Sequence, residues 1–561
     1  MKNNNKVAII GLDGGTFEVM RRLVQRGDLP HLASLMATGM VTELTSTVPY
    51  VTPTAFASFM TGVNPGKHGL FDFTADCHRT YDTGPLVNSA HIRTKTLWEI
   101  LTEAGRRMVL VTIPFTYPPT PVNGAMVSVS SFREGHLSTY PPSLAQEMEQ
   151  DIGAYEERHH QEIHAPDGAP SHEFIADFIA RCHYQTEKSK QAVCYLMKDG
   201  AWDLMMTVFV ITDQLQHYFW RFMDETHPAY EPEGAGRFGR VIDDGYRKVD
   251  QMIGEILQSV PEDAHVLVIS DHGFGPLQRV FYTNRWLQER GLLRLRAGAR
   301  WGVRTSPLGE AMARAGLSFI SGRLPRGIRD IPVPVPGRPS EAPLEAIDWS
   351  RTQAYATRWG ININLKAREP FGIVEAGQPY ERLVEAITRG LQEIREPAGG
   401  QPLFDLVARK EEVYAGPYVE EGHDILCGSG ASGTVLKKEL FHPEIMRGIT
   451  PADLGNGDHR REGMLIMRGP LVEAGAGGAA PRVEDLAPTI LYLMDMAVPD
   501  YMDGGVLVSA MKRGVVARRP VVLQEGACGD RAAGYGLRTS GSDGDDEERI
   551  RRQLRNLGYL D

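Results

Sequence analysis

Three short apolar runs, VAIIGL, TVFVIT and HVLVIS, set the strongest limit on how this chain can fold, because each is followed at once by an aspartate: Asp13, Asp213 and Asp271. Runs of this length without polar alternation mark strands buried on both faces. Helical patterns fill the gaps: FEVMRRLVQRG and HLASLMATG after the first run, and VIDDGYRKVDQMIGEILQSV before the third. LWEILTEAG leads into the strand-like RRMVLVTIP. Late in the chain, GMLIMRG reads as a strand and VEDLAPTILYLMDM as a helix. This alternation predicts an α/β fold, a doubly wound, mostly parallel sheet with helices on both faces. Ligands of such sheets bind beyond the carboxyl ends of the strands, where all three aspartates would gather.

At 561 residues the chain is too long for one simple core. The expected organisation is a catalytic core from 1–275 and 346–510, with a cap segment at about 74–170 whose later part is rich in Pro, His and Gly. Residues 276–345, with the Pro-rich RDIPVPVPGRPSEAP, read as an insertion. Residues 511–561 read as a Gly/Ser/Asp-rich linker closed by a short amphipathic helix, ERIRRQLRNLGYL. A net charge of −11 argues against nucleic acid as the main partner. The five cysteines are scattered, without a CxxC pair, which suits a reducing compartment. No run approaches the roughly 20 apolar residues of a transmembrane helix. The N-terminal run is too short for a signal peptide, so a cytoplasmic protein is expected.

The chemistry-bearing residues cluster in the pattern. His217 follows Asp213 by four positions, His272 follows Asp271 directly, and His459 lies in the Gly-rich GNGDHRREGMLIMRG, read as a loop before a strand. An aspartate after a strand is often only a turn or a cap. Several carboxylates and imidazoles on one sheet edge would repel or stay unsatisfied without a cation among them, and a pair of divalent ions fills that role. Asp-x-x-x-His places two ligands on one side of a helical turn. Gly273 would permit a tight turn that lets Asp271 and His272 grip one ion. A further stretch, VPYVTPTAFASFMTG, crowds hydroxyls around an apolar segment. Pro53 disfavours the helical conformation at Thr52 and suits the first helical position. Thr52 is therefore expected at the N-cap of a helix ending at Gly62, where the dipole favours an oxyanion. Thr is also a common cap with no chemistry, but beside a metal its hydroxyl could lose a proton and attack phosphorus.

Taken in order, GLDGGT, VTPTAFASFMTGVNPGKHGLFDF, ITDQLQH, ISDHGFG, INLKAREPFGIV, DHRREGMLIMRGP, DLAPTILYLMDMAVPDYMDG and LRNLGYL resemble the alkaline phosphatase superfamily. The likeness is to its type I phosphodiesterase/nucleotide pyrophosphatase branch and to the related bacterial and archaeal phosphohydrolases and phosphomutases. The resemblance implies a doubly wound α/β fold with two divalent metals, commonly zinc and alternatively manganese, at the strand ends. It also implies that Asp213, His217 and His459 hold one ion and that Asp13, Asp271 and His272 hold the other. Thr52 would be the nucleophile, bridging toward the phosphoryl group. The family's nucleophile lies ten residues before the Gly of a following TG, here Gly62, which favours Thr52 over Thr54. Nucleotide pyrophosphatases usually carry an Asn three residues after the nucleophile, where this chain has Ala55. The sulfatase signature C/S-x-P-x-R is absent.

The resulting expectation is a metal-dependent phosphoester hydrolase, a phosphodiesterase working through phospho-threonine on a small-molecule or lipid-like substrate. A phosphotransferase or mutase of the same superfamily and a catalytically inactive binding protein stand as alternatives. Lys67 and His68 are expected to be structural or supporting, and His423 and Asp424 lack a matching ligand set. Oligomeric state is not legible in the sequence.

Overall fold

The computed structural model describes residues 5–75, 78–81, 84–128, 138–153, 172–296, 346–397, 399–453, 455–526 and 528. Most of the expected insertion, parts of the expected cap and the closing linker and helix therefore lie outside the described residues. An eight-stranded sheet forms the centre. Its strands are β1 (Val7–Leu12), β2 (Met40–Thr45), β3 (Met108–Val111), β4 (Gly124–Ser128), β5 (Ser138–Tyr140), β6 (Leu204–Phe209), β7 (His265–Ile269) and β17 (Glu462–Arg468). Across the sheet the order is β2-β17-β7-β1-β6-β3-β4-β5. The block from β7 to β4 is parallel, while β17 and β5 run antiparallel to their neighbours. The fold is thus the mixed, mostly parallel α/β sheet that the apolar runs predict. The late strand GMLIMRG joins it in reverse.

Both faces of the sheet are covered, which is why its central strands need no polar alternation. Ala8, Ile10 and Leu12 of β1 pack on one side with Leu215, Val249, Met252 and Ile253 from the helices Ile211–Met223 and Val241–Leu257. Val7 and Ile9 point to the other side, among Phe56 and Phe59 of the helix Thr52–Thr61 and Ile490 of the helix Leu486–Leu493. Within the segment 74–170, strands β3, β4 and β5 extend the sheet. No helix among the described residues is long and apolar enough to cross a membrane.

Of the four smaller sheets among the described residues, three bear on the site. A ribbon pairs β8 (Gly273–Pro276) with β16 (Gly457–Arg460), and β9 (Arg279–Tyr282) lies between β14 (Thr434–Lys437) and β15 (Met446–Gly448). The third is a four-stranded antiparallel sheet of β10 (Ala354–Thr357), β11 (Gly360–Ile363), β12 (Leu406–Arg409) and β13 (Ile425–Gly428). It buries its own cluster, with Ile361, Ile363 and Ile425 against Val384 and Ile387 of the helix Gln378–Gln392. Most of this second core lies in 346–510, the stretch expected to belong to the catalytic core, but it also takes in Phe281, Trp286 and Leu287 from the expected insertion and Tyr81 from the expected cap.

Close backbone packing of β17 on the end of β7 holds the edge of the sheet where the aspartates emerge. A Cβ at Gly463 would stand 2.4 Å from the Ser270 carbonyl oxygen, and Ser270 N–H donates to Met464 O at 2.8 Å. Gly463→Ala is therefore expected to lower stability by about 1–3 kcal/mol through overpacking. Gly236→Ala, in the helix Pro232–Phe238 with open space around the position, should be neutral or stabilising by up to ~1 kcal/mol. Urea unfolding midpoints of the two variants check the contrast.

Candidate metal centre

The parallel register places the ends of three strands side by side. Leu12 lies opposite Phe209, and Gly11 opposite Ile269. Asp13 follows β1 directly, and its N–H donates to Phe209 O at 3.0 Å. Gly14 then turns left-handed (φ +63°), and a Cβ there would meet the Asp213 Cα at 3.2 Å, so a glycine lets the two aspartates approach. Asp213 stands in the first turn of the helix Ile211–Met223, with His217 one turn on. The Thr212 hydroxyl donates to Asp13 O at 2.6 Å, and the Gln216 amide to Gly14 O at 2.8 Å, clamping this helix to the end of β1.

Asp271 and His272 fill the bend between β7 and β8. Gly273 is needed here for a different reason from the expected tight turn. Its φ is not positive, and a Cβ would stand 2.1 Å from the Glu462 carbonyl oxygen, so close strand approach is what demands it. His459 also departs from expectation, lying on β16 opposite Phe274 and not in a loop. Of the two glycines in GNGD, Gly457 packs its backbone against Gln216 O, where a Cβ would come within 2.4 Å, while Gly455 has open space around it.

All six side chains converge in the buried interior. His459 Nε2 lies 3.2 Å from Asp213 Oδ1 and 3.3 Å from His217 Nε2, and His217 Nε2 is 3.4 Å from Asp213 Oδ1. His272 Nε2 lies 3.4 Å from Asp13 Oδ1 and 3.5 Å from Asp271 Oδ2, and its ring stacks on His459 at 3.7 Å. Asp213, His272 and His459 form one potential ligand group; Asp13, Asp271 and His272 form a second. His272 is common to both.

The orientation of the rings is the decisive detail. His217 Nδ1 contacts Gly457 O at 3.2 Å, His272 Nδ1 contacts Gly273 O at 3.1 Å, and His459 Nδ1 contacts Tyr50 O at 3.1 Å. A carbonyl only accepts, so each Nδ1 carries a proton and each ring points its Nε2 inward, where a neutral ring would present a lone pair. Burial favours that neutral form, pushing His459 down to about 4 and lowering His272. Asp13 Oδ1, both Asp271 oxygens and His272 Nε2 are buried without a well-formed hydrogen-bond partner. Burial, with the Asp271 charge next, pushes Asp13 well up, and burial pushes Asp271 up to about 7. A set of inward lone pairs and unsatisfied carboxylates fits divalent cations by the chemistry of its donors.

The helix Thr52–Thr61 begins beside this centre, two residues after the Tyr50 carbonyl that holds His459. Thr52 is not the N-cap. Val51 is, because Ala55 N–H donates to Val51 O at 2.9 Å and so draws Thr52 into the first turn. Two neighbouring hydroxyls are committed elsewhere: Ser58 Oγ pairs with His68 Nε2 at 3.0 Å, and Thr61 Oγ1 donates to Ala57 O at 2.6 Å. Thr54 Oγ1 has no hydrogen-bond partner, but the residue has no exposed surface, against 7% for Thr52. Ala55 is buried and offers no polar group. Lys67 bonds Asp503 and Tyr501 O, and Asp424 pairs with Arg368 and Lys410 in the second lobe, away from the ligand groups.

Sequence reasoning missed Arg358, Trp359 and Asp458. With Tyr50 and His459 they line a pocket at the edge of the centre. Arg358 lies 87 positions after Asp271, the nearest aspartate of the site, and just ahead of the INLKAREPFGIV stretch. Only its place between two short strand-like runs, AYAT and GINI, could have signalled a tip.

A family model described as type I phosphodiesterase / nucleotide pyrophosphatase matches residues 7–415, well over half of the chain. The chain belongs to that family. The type I phosphodiesterases are enzymes acting on phosphoric ester bonds, and the chain is a hydrolase of that class. The family match spans Asp13, Thr52, Asp213, His217, Asp271 and His272 and ends before His459. This family member is similar in structure to phosphonoacetate hydrolase from Sinorhizobium meliloti 1021 (15% identity, TM-score 0.50), covering 87% of this chain and 95% of that one. It is also similar to human ectonucleotide pyrophosphatase / phosphodiesterase 5 (12% identity, TM-score 0.45), covering 88% of this chain and 96% of that one. The likeness to the phosphonoacetate hydrolase is one of fold. No curated protein matches the chain at a significant level.

The raised Asp271 carboxyl has a consequence in chelator. A carboxyl whose folded value exceeds its unfolded value costs stability as pH rises from about 4 to about 7. Asp271→Asn removes that cost, so its Tm relative to the parent should climb between pH 5 and pH 8. Parallel Tm profiles across that range would contradict the assignment.

Proposed function

We propose that the protein is a two-metal phosphodiesterase whose nucleophile is Thr52. The observation that carries this reading is the common orientation of His217, His272 and His459, each tied through Nδ1 to a backbone carbonyl, so that Nε2 faces Asp13, Asp213 and Asp271. Asp213, His217 and His459 would hold one ion, and Asp13, Asp271 and His272 the other, with Thr52 reaching the phosphoryl group between them. Three imidazoles and three carboxylates suit zinc, with manganese the alternative. When bound, the ions supply Lewis acidity and lower the proton affinity of a nearby hydroxyl.

The chain's own residues do the rest. Thr52 loses its proton to solvent, and its Oγ1 bonds to phosphorus as the bond to the leaving alcohol breaks; that alcohol oxygen takes a proton from water. The start of the helix Thr52–Thr61 offers its positive dipole end to the non-bridging oxygens. A water molecule then attacks phosphorus, the Oγ1–P bond breaks, and Thr52 regains its proton. Ala55 leaves the helix without the amide that nucleotide pyrophosphatases present at that place, which supports a small-molecule or lipid-like phosphoester over a nucleotide.

Three outcomes test the proposal. Wild-type protein should hydrolyse bis-p-nitrophenyl phosphate, lose the activity in chelator, and regain it with zinc or manganese. Thr52→Ala should lose about 10³-fold or more in kcat while binding the same amount of metal, whereas Thr54→Ala keeps most of its activity. Mass spectrometry of acid-quenched enzyme should place phosphate on Thr52. Phosphate on another residue, or transfer of the phosphoryl group to an added alcohol in place of water, would overturn the nucleophile or the hydrolase assignment respectively.

A further inference from the structure

The strands β10 and β11 are joined by only two residues, Arg358 and Trp359, with Thr357 paired to Gly360 across the turn. Two-residue hairpins favour turns with positive φ at one or both central positions, usually filled by Asn, Asp or Gly. Neither Arg358 nor Trp359 adopts positive φ. Contacts outside the hairpin hold the tip instead. The Trp359 ring meets Tyr50 edge-on at 5.5 Å, and its Nε1–H points to Asp72 Oδ1 at 3.4 Å. Through Tyr50, the tip of the second lobe is thus pinned to the residue whose carbonyl orients His459.

Arg358 is carried into the interior by this arrangement. It is only 6% exposed, its guanidinium lies 5.1 Å from the centre of the Trp359 ring, and it faces Asp458 Oδ1 at 3.9 Å. Asp458 Oδ1 also accepts from the His459 N–H at 2.9 Å. The same pocket is lined by Tyr50, Arg358, Trp359, Ser429, Asp458 and His459, so the guanidinium and a ligand of the candidate metal centre share one wall. Burying a guanidinium at a hydrolase site is costly, and its planar fork is shaped for oxyanions.

We propose that Arg358 is a substrate-binding residue that receives an oxyanion of the phosphoester, delivered to the site by the β10–β11 hairpin tip. The proposal rests on the hydrolase reading above and adds a cation that no residue near Thr52 in sequence supplies. The oxyanion is either the second charge of a monoester's transferred phosphoryl group or an acid group elsewhere on the substrate.

Calorimetric titration of inorganic phosphate into zinc-loaded wild type, Arg358→Met and Arg358→Lys tests it. Phosphate affinity should fall by about tenfold or more in Arg358→Met and by less in Arg358→Lys, which keeps the charge without the fork, with bound zinc unchanged in both. If Arg358→Met fails to fold, Arg358→Lys must still weaken phosphate binding by about threefold. Equal affinity in wild type and variants overturns the proposal. So does a parallel loss of zinc, which would reduce Arg358 to a prop for Asp458 and His459. Steady-state rates then separate the two sources. A fall in the kcat/KM ratio of p-nitrophenyl phosphate to its bis ester supports the transferred phosphoryl group; an unchanged ratio with weaker inhibition by malonate supports a separate acid group. Failure of the wild type to turn over either ester would sink the hydrolase reading and leave the calorimetric comparison intact.

Discussion

Three aspartates, Asp13, Asp213 and Asp271, are buried at one edge of the sheet around the shared His272, and their mutual repulsion is the constraint that the rest of the architecture answers. Without a counter-charge such a group favours protonation or separation. Here separation is closed off, because each aspartate is fixed by the strand or helix that carries it, and Asp13 and Asp271 are pushed toward the protonated form. Gly14, Gly273 and Gly463 let the backbones close in where any side chain would hold them apart. The Thr212 and Gln216 side chains bind the turn after β1 to the helix of Asp213 and His217. The three imidazoles complete the set with lone pairs, not further charge. The whole edge is therefore preorganised for cations, and the positive start of the Thr52 helix is set beside it.

The second lobe gives this centre a roof. Its antiparallel sheet has a separate hydrophobic cluster, so the β10–β11 hairpin is braced by its own core and not by the metal ligands. The tip then meets Tyr50, a residue that serves both sides: its ring packs on Trp359, its hydroxyl accepts from Ser429 N–H at 3.1 Å, and its carbonyl orients His459. Substrate contacts and metal geometry are coupled through this one residue.

Much of this could be read from residues alone. Strands buried on both faces leave continuous apolar runs, so β1, β3, β6, β7 and β17 were legible, and an Asp at the end of each of three such runs marked the active edge. The His at four residues from Asp213 followed from helical geometry. Other elements left weaker traces. β2, with MVTELT, is an edge strand with one partly exposed face, and β5 has three residues, so neither carries a distinctive pattern. His459 looked like a loop residue because glycines that serve close packing of β16 resemble glycines that serve flexibility. Thr52 moved from cap to first turn because the Val51 carbonyl, and not a side chain, accepts the first helical hydrogen bond. Arg358 was invisible, since its meeting with His459 depends on how two sheets far apart in sequence dock.

The central claim is that the six converging side chains form a centre for two ions. Anomalous diffraction from crystals of the zinc-loaded protein, recorded on both sides of the zinc absorption edge, addresses it most directly. The account predicts two peaks, one contacted by Asp213, His217 and His459 and the other by Asp13, Asp271 and His272, with the Thr52 hydroxyl within reach of both. No peak among the Nε2 atoms, or a peak held by other residues, would contradict it.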